Sequence, residues 1–357
     1  MKIVFLSYLH GFGGAEKQII MLSNAMAEKG HNVILVSISA NNLCYELSNK
    51  VKYIFLSDRK SNYLKILHRF IGIRKILNSE KPDVVVNFWF QSAYLTALMR
   101  KSITGKIVYS ERGDPGDKEY SGILGIIRKL TLPRIDGFVF QSKGARDYFS
   151  ENVKRKSKII LNPISFSQKD FPCVSYRRKV IVSVGRLHPQ KNQKLLINAF
   201  FYIKDKFPDY TLEIYGDGYL KQDLEKYISK LGLEKRVVLK GTSKSIASKI
   251  IDASLFVLSS DYEGLPNVLI EAMVLGIPCI STDCRPGGAR EIIDDGVNGF
   301  IVPRNDAYVL SKSMVKVLKN PRLAEKFSFN SRYFINKYEP CAVYNQWEEF
   351  FKRLIGN

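Results

Sequence analysis

The chain has 357 residues, which is long enough for two domains that each bury a hydrophobic core. Its content of 45% apolar and 25% charged residues is typical of a globular protein, and no apolar run approaches the roughly 20 residues of a membrane span. Five scattered cysteines without Cys-x-x-Cys spacing argue against a disulfide framework and a zinc site. They fit a reducing compartment, and the N-terminal residues predict a first strand rather than a secretory signal.

The formal net charge is +21 and is uneven along the chain. Residues 1–165 carry 26 Lys and Arg against 13 Asp and Glu, whereas residues 166–357 carry 29 against 21. Such an excess favours an anionic partner, either a polyanion or an anionic membrane surface. No nucleic-acid-binding motif accompanies it, so we predict no nucleic-acid partner. The alternative is a basic protein without a specific anionic partner.

Strand and helix patterns alternate through the first half of the chain. Short apolar runs predict strands at Lys2–Ser7, His31–Ser39, Lys52–Leu56, Asp83–Phe88, Lys106–Ser110, Gly137–Phe140 and Lys158–Leu161. Helical periodicity predicts helices at Ala15–Lys29, Tyr63–Asn78 and Ser92–Met99, with one more between the last two strands. This alternation predicts a doubly wound parallel sheet over residues 1–165.

The pattern restarts after Asn162–Arg178, which has two prolines and little periodicity and is predicted to be a linker. Strands are predicted at Val180–Val184, Thr211–Tyr215, Val237–Lys240, Leu255–Leu258 and Cys279–Ser281. Helices are predicted between them at Gln193–Lys206, Leu220–Leu231 and Ser245–Ala253. The second half therefore predicts another parallel α/β domain, over residues 175–335.

The stretch Ala253–Pro278 places two carboxylates around a helix start. A buried strand and a polar loop lead to Pro266, which suits the first position of a helix that a Gly-x-Pro sequence ends. Glu263 lies in the loop, and Glu271 lies about one turn inside the helix. Free N–H groups at the positive end of the helix dipole would lie between them, on Asn267, Val268 and Leu269. Donors for a phosphate beside acceptors for sugar hydroxyls predict a nucleotide-sugar site.

This context resembles the E-x7-E signature of retaining glycosyltransferases of family 4. The resemblance implies the GT-B architecture, with two Rossmann-like doubly wound parallel-sheet domains facing a cleft. It implies that the final helix, within residues 340–357, packs back on the first domain. It also implies that Glu263 binds hydroxyls of the donor sugar and that Glu271 binds the ribose. The further donor-binding residues that it implies are Thr242, Leu265, Pro266, Asn267, Val268 and Leu269. A helix-start glutamate followed by a surface glutamate is the alternative.

Two other segments match the same family. The sequence H-G-F-G-G-A-E contains its glycine-rich loop, where Gly13 and Gly14 would face the donor phosphate and the acceptor. The sequence G-R-L-x-x-Q-K-N supplies Arg186 and Lys191, which the resemblance assigns to the donor diphosphate and the leaving group. Because these cations would take a metal's role and no D-x-D occurs, we predict no cofactor and no metal. The alternatives are a tight strand-to-helix turn and two solvated cations.

One segment departs from the common family pattern. Where many members have a histidine, this chain has S-E-R-G-D-P, which resembles a variant among transferases of surface polysaccharide assembly. Glu111 or Arg112 would contact donor or acceptor, or they form a buried ion pair, and both interpretations stay open. His10 and Glu16 are further candidates for such contacts, with helix capping as the alternative for His10.

The segment Arg59–Leu77 has an apolar helical pattern with cations on its flanks, as in helices that lie on anionic lipid. These cations are Arg59, Lys60, Lys65, Arg69, Arg74 and Lys75. The alternative is a domain helix with a solvated face. We predict a cytoplasmic protein that binds peripherally at the inner face of the cell membrane.

Together these features predict a retaining, metal-independent glycosyltransferase. It would move a hexose or N-acetylhexosamine from a UDP-linked nucleotide sugar to a glycan, with a polyprenyl diphosphate-linked glycan as a candidate acceptor, in surface polysaccharide synthesis. A nucleotide-sugar epimerase of similar fold and a basic nucleic-acid-binding protein are the alternatives, and the context of the paired glutamates argues against both. A non-catalytic scaffold would normally have lost Lys191 or Glu263.

Overall fold

The structure is a computed structural model that describes residues 1–9, 13–38, 43–56, 62–164, 174, 176–243, 245–334 and 338–356. It forms two compact units. The first comprises Met1–Pro163 and Pro340–Asn357, and the second comprises Ile164–Glu339.

The first unit contains a sheet of seven parallel strands in the order β3-β2-β1-β4-β5-β6-β7. The strands are β1 Lys2–Ser7, β2 Asn32–Ser37, β3 Val51–Phe55, β4 Val84–Asn87, β5 Lys106–Ser110, β6 Gly137–Phe140 and β7 Ser157–Ile159. The helices are α1 Gly14–Glu28, α2 Asn62–Glu80, α3 Phe90–Leu98, α4 Gly122–Thr131, α5 Lys143–Asp147 and α6 Glu151–Arg155, with the C-terminal helix α13 Pro340–Ile355.

Helices cover both faces of this sheet, which explains why its strands read as continuous apolar runs. Along β1, Val4 and Leu6 face one core, and Ile3 and Phe5 face the other, because side chains alternate across a strand. The first core takes residues from α2, α3 and α4. The second takes residues from α1 and α13.

Helix α13 belongs to the first unit and packs on the rest of it through an apolar stripe. Its buried residues are Val343, Trp347, Phe350 and Phe351, at the spacing of one helical face. They join the core formed with α1, and the Trp347 ring stacks on Phe88 at 6.2 Å between centroids.

The second unit contains six parallel strands in the order β10-β9-β8-β11-β12-β13. These are β8 Arg178–Val184, β9 Thr211–Tyr215, β10 Val237–Gly241, β11 Ala253–Leu258, β12 Cys279–Thr282 and β13 Phe300–Val302. The helices are α7 Gln193–Ile203, α8 Lys221–Lys230, α9 Ile246–Ile250, α10 Asn267–Val274, α11 Ala307–Leu318 and α12 Pro321–Phe334. The order reverses between β8 and β11, as in a doubly wound sheet.

The predicted strands are confirmed, with small shifts at their ends, and the doubly wound fold is confirmed for each sheet. The single helix expected between β6 and β7 is instead two short helices, α5 and α6. Helix α4 was not predicted, because it contains Gly122 and Gly125, and glycine has a low helix propensity. Strand β13 and helices α11 and α12 were also not predicted. Arg59 and Lys60 of the predicted basic helix lie outside the described residues.

Candidate active site

The candidate site of the second unit lies at the carboxyl ends of β8 and β11, two neighbouring strands. In open parallel sheets this reversal of strand order is where ligands bind, because the connections leave in opposite directions there. The loop after β8 carries Arg186 and Lys191, and the loop after β11 carries Glu263. The fold therefore brings two of the sequence motifs to one point.

Lys191 and Glu263 form an ion pair in which the Lys191 Nζ donates to Glu263 Oε1. Only 15% of the lysine side chain and 10% of the glutamate side chain are exposed. The Ser260 hydroxyl donates to the same carboxylate oxygen at 2.7 Å. A charge-assisted contact with little exposure to water is stronger than a surface pair, so this cation and carboxylate are positioned by each other.

Hydrogen bonds between the two loops hold the pair in place. The Asp261 N–H donates to the Gln190 carbonyl, and the Gln190 side-chain amide donates to the Tyr262 carbonyl, each at 2.8 Å. The Ser259 hydroxyl donates to the Lys191 carbonyl at 2.8 Å. Gln190 belongs to the G-R-L-x-x-Q-K-N segment, whereas only the fold distinguishes Ser259, Asp261 and Tyr262 from ordinary loop residues.

A third loop, which follows β12, packs against the Glu263 loop. The Glu263 N–H donates to the Arg285 carbonyl at 2.6 Å, and the Arg285 N–H donates to the Asp261 carbonyl at 3.1 Å. A side chain at Gly288 would overlap the Gly264 carbonyl, so only glycine permits this close approach of the two backbones.

Helix α10 begins beside Glu263, one residue later than predicted. Pro266 is its N-cap in an extended conformation, and no side chain caps the helix. The N–H groups of Leu269 and Ile270 both donate to the Pro266 carbonyl, at 3.0 and 3.3 Å. The prediction of a free N–H at Leu269 is therefore wrong, because the first turn closes on Pro266.

The other predicted donor-binding residues around α10 differ in their solvent exposure. The side chains of Leu265, Pro266 and Leu269 are buried, and their contact with the donor stays a prediction. Asn267, Val268 and Glu271 are half-buried. The helix ends at Gly276, as predicted, where φ is +69° and the Ile277 N–H reaches back to the Ala272 carbonyl at 3.0 Å.

Arg186 adds a second cation at the end of β8. It is exposed and has no ion-pair partner among the residues that the structure describes. Partial burial and the charges of Arg186 and Lys191 lower the pKa of His188 from its ordinary value. His188 Nδ1 accepts a hydrogen bond from the Gln190 N–H at 3.3 Å, which also requires the neutral ring. The loop therefore carries concentrated positive charge without a charged histidine.

Thr242 lies further along the same sheet. It lines a cavity of about 430 Å³ with Tyr215, Lys240, Ser243 and other polar residues. Burial, followed by the hydrogen bond to Glu213, raises the pKa of Tyr215 to about 12.

In the first unit, Gly13 is the N-cap of α1 and Gly14 is its first residue. A side chain at Gly13 would overlap the Glu16 carboxylate, which lies back over the helix start. A carboxylate in the first turn stabilises a helix through the macrodipole. The Glu16 carboxylate thus lies beside Gly13 at the start of α1, and the phosphate contact of Gly13 and Gly14 stays a prediction. His10 lies outside the described residues.

Glu111 is buried and forms an ion pair, but its partner is Arg128 of α4 rather than Arg112. The Arg128 guanidinium donates to Glu111 Oε2 at 3.0 Å, and the two side chains are 7% and 2% exposed. The Tyr109 hydroxyl donates to the same oxygen at 2.7 Å, and burial raises the pKa of Tyr109. The N–H groups of Arg112 and Gly113 donate to Oε1. Both carboxylate oxygens are therefore used within the fold, and Glu111 shapes its loop.

Arg112 also points into the first unit. Its guanidinium lies 3.9 Å from the centroid of Phe88 and 5.6 Å from that of Trp347, and it donates to Asn162 at 2.8 Å. Burial lowers its pKa to about 9, against the opposing effect of Glu111. Arg112 therefore joins β4, the end of β7 and the C-terminal helix.

Two general features concern metals and membranes. Within the described part of the chain, no group of three or more His, Cys, Asp or Glu side chains is arranged to hold a metal ion. Among the same residues, no helix is long and apolar enough to cross a membrane.

Comparison with known proteins identifies the family. Residues 171–334 match the family model described as glycosyl transferases group 1, and residues 12–168 match that of glycosyltransferase family 4. An uncharacterized glycosyltransferase of Methanocaldococcus jannaschii is 31% identical over 278 residues, covering 70% of this chain and 68% of that protein. The chain therefore belongs to the group 1 glycosyltransferases, and it is an enzyme of that class.

Two further proteins are similar over almost the whole chain. One is named GalNAc-alpha-(1->4)-GalNAc-alpha-(1->3)-diNAcBac-PP-undecaprenol alpha-1,4-N-acetyl-D-galactosaminyltransferase and comes from Campylobacter jejuni. It is 27% identical over 354 residues, and the match covers 97% of each protein. The other is HepE of Anabaena, solved in complex with UDP. It has a TM-score of 0.84 at 19% identity, with 99% of this chain and 100% of HepE covered. The fold is therefore the GT-B fold.

Proposed function

We propose that the chain is a retaining, metal-independent glycosyltransferase. Its donor is a UDP-linked hexose or N-acetylhexosamine, and its acceptor is a polyprenyl diphosphate-linked glycan in surface polysaccharide synthesis. The observation that carries the proposal is the partly buried Lys191–Glu263 pair at the reversal of strand order, with Arg186 on the same loop as Lys191.

The cations act on the leaving group. In the transfer, the bond between the anomeric carbon and the diphosphate oxygen breaks, and a bond to an acceptor hydroxyl oxygen forms on the same face of the sugar. The acceptor's proton passes to the departing diphosphate. Negative charge develops on that diphosphate, and preorganised cations stabilise it most in a site with little water. Lys191 has three N–H donors, so it can hold Glu263 and a phosphate oxygen together.

The two glutamates have different roles in this proposal. Glu263 accepts hydrogen bonds from donor sugar hydroxyls and stabilises the positive charge that develops on the sugar ring. Glu271 lies eight positions after Glu263, in the second turn of α10, and accepts from the ribose. The Ser260 hydroxyl and Lys191 hold Glu263 in its orientation before any donor binds, which is the arrangement that preorganisation requires.

The donor and acceptor classes are supported by the similar proteins. HepE was solved with UDP, which supports a UDP-linked donor. The Campylobacter jejuni relative is named for an acceptor that ends in diphospho-undecaprenol, which supports a polyprenyl-linked acceptor for this chain. A membrane-anchored acceptor agrees with the excess of positive charge in the first half of the chain.

The test is UDP release from a panel of UDP-linked hexoses and N-acetylhexosamines, with and without polyprenyl diphosphate-linked glycans, in the presence or absence of EDTA. We expect acceptor-dependent UDP release that EDTA does not abolish. Activity that is lost with EDTA and restored by manganese would contradict the metal-independent mechanism. Epimerised UDP-sugar without transfer to any acceptor would contradict the reaction class.

A further inference from the structure

Helix α4 carries a stripe of exposed aliphatic side chains. Ile123, Ile126 and Leu130 are 79%, 59% and 63% exposed, and their spacing places them on one face of the helix. Leu124 and Ile127, which lie beside this stripe, are partly buried and pack against the core. Single exposed hydrophobic residues are common on protein surfaces. Three on one face of a helix form an apolar patch, which is typical of an interaction site.

Helix α2 repeats this arrangement. Leu64, Leu67 and Ile71 have the same spacing, and each is about half exposed. Ile73 and Leu77 of the same helix are buried in the core that also receives residues of α3 and α4. Both stripes therefore lie on the outer surface of one helical layer, which consists of α2, α3 and α4 on a single face of the sheet. We call this layer the basic layer.

Charge distinguishes the basic layer from the opposite one. Residues 62–80, 90–102 and 118–134 carry ten Lys and Arg against two Asp and Glu. The opposite layer, residues 14–29 and 340–356, carries four against four. Six cations of the basic layer are exposed and have no ion-pair partner among the described residues; they are Arg74, Lys75, Lys101, Lys118, Lys129 and Arg134. Arg128 is buried with Glu111, and Arg100 pairs with Asp136.

We propose that the basic layer binds an anionic lipid bilayer, with the aliphatic stripe of α4 entering the interface and the surrounding cations contacting lipid phosphates. Exposed aliphatic residues surrounded by Lys and Arg are the pattern of interfacial helices, whose affinity combines apolar burial with attraction to anionic lipid. A nucleic acid would use the cations but gain little from isoleucine and leucine. The inference rests on the proposed function, because a polyprenyl-linked acceptor brings this enzyme to a membrane. The sequence predicts lipid contact for α2 alone. The inference adds α4, which carries the most exposed apolar residues of this face.

The test is cosedimentation of the full chain with vesicles of phosphatidylcholine alone or with phosphatidylglycerol. We expect binding to the anionic vesicles at low salt and release at high salt. Replacing Ile123 and Ile126 by Ser should weaken binding about tenfold, since two aliphatic side chains leave the interface. The matched control replaces Tyr308 and Phe329, which are similarly exposed on the second unit, and should leave binding unchanged.

Two charge-reversal variants test the electrostatic contribution to vesicle binding. Reversing Arg74, Lys75 and Lys129 to Glu should abolish binding to anionic vesicles. Reversing Lys221, Lys226 and Lys230, which are exposed on α8, changes the net charge equally and should preserve most of the binding. Hydrogen–deuterium exchange of the unmodified protein on vesicles should show protection in α2 and α4 but not in α1 or α13, and this readout does not depend on any variant folding.

Several results would overturn the proposal. The first two are equal binding of the protein to neutral and anionic vesicles, and an equal loss of binding when the α8 lysines are reversed. The third is release of the protein from vesicles by short duplex DNA of equal charge. The fourth is a dimer of the unmodified protein that dissociates when Ile123 and Ile126 are replaced. UDP release from donor with a soluble acceptor separates the two proposals. Transfer without vesicle binding contradicts the bilayer inference alone, and vesicle binding without transfer of any sugar contradicts the proposed function alone.

Discussion

The Lys191 ammonium donates to the Glu263 carboxylate, and this contact joins the loop after β8 to the loop after β11. The two residues are 72 positions apart and belong to different sequence motifs. Both side chains are mostly buried, so removing one partner leaves the other as an uncompensated charge. The pair therefore contributes both to the stability of the second unit and to the proposed catalysis.

Lys191→Ala should lower kcat by about a hundredfold or more, because a preorganised cation facing the leaving diphosphate is lost. UDP release under saturating donor measures this. Lys221→Ala is the control, since Lys221 is an exposed cation at the start of α8, and its activity should equal that of the unmodified enzyme. Equal rates for Lys191→Ala and the control would contradict the role of Lys191.

A double-mutant cycle separates the structural part of this effect. Lys191→Met alone should destabilise the protein by on the order of 3 kcal/mol, because Glu263 stays buried without a cation. Adding Glu263→Gln should restore part of that stability without restoring turnover. Additive effects on the free energy of unfolding would show that the two side chains do not interact in solution.

Glu263 and Glu271 should differ in how they affect the free nucleotide. Glu271→Ala should weaken the binding of UDP, since the proposed ribose contact is lost. Glu263→Ala should lower turnover with intact donor and leave the affinity for UDP nearly unchanged. Isothermal titration with UDP and steady-state kinetics measure the two effects, and equal losses of UDP affinity in both variants would show that this division of roles is wrong.

His188 should make stability depend on pH. Its pKa is lowered in the folded protein, by burial and then by Arg186 and Lys191, so the unfolded chain binds the proton more readily. Stability therefore decreases as the pH falls below the ordinary histidine pKa of about 6.5, and the decrease ends below the folded value. His188→Gln keeps an acceptor for the Gln190 N–H and should show a smaller fall in Tm between neutral and mildly acidic pH. Identical slopes for the two proteins would exclude His188 as the source.

Much of the candidate site in the second unit could be predicted from local sequence. Each motif lies directly after a predicted strand, and the carboxyl ends of parallel strands meet at one edge of the sheet. That rule brings Lys191 and Glu263 together without any knowledge of contacts. It could not predict that Pro266 would take the N–H of Leu269, because closure of a first helical turn depends on the backbone conformation of the cap.

The surroundings of Glu111 and Arg112 could not be predicted in the same way. The partner of Glu111 is Arg128, on a helix that glycines conceal in the sequence. Arg112 lies against Trp347, which is 235 positions further along the chain. Both contacts arise from packing between elements distant in sequence. An amphipathic reading of G-I-L-G-I-I-R-K-L was the signal that could have revealed α4 and its buried arginine.

The reaction that we propose for this chain is transfer of a sugar from a UDP-linked donor with retention of configuration. Proton NMR of the first product formed from an α-configured UDP-sugar tests it most directly, because the coupling constant of the anomeric proton reports the new linkage before any later exchange. We expect an α-linked product with equimolar release of UDP, and about a hundredfold less product or lower from the Lys191→Ala variant over the same time. A β-linked product, or transfer at an undiminished rate without Lys191, would contradict it.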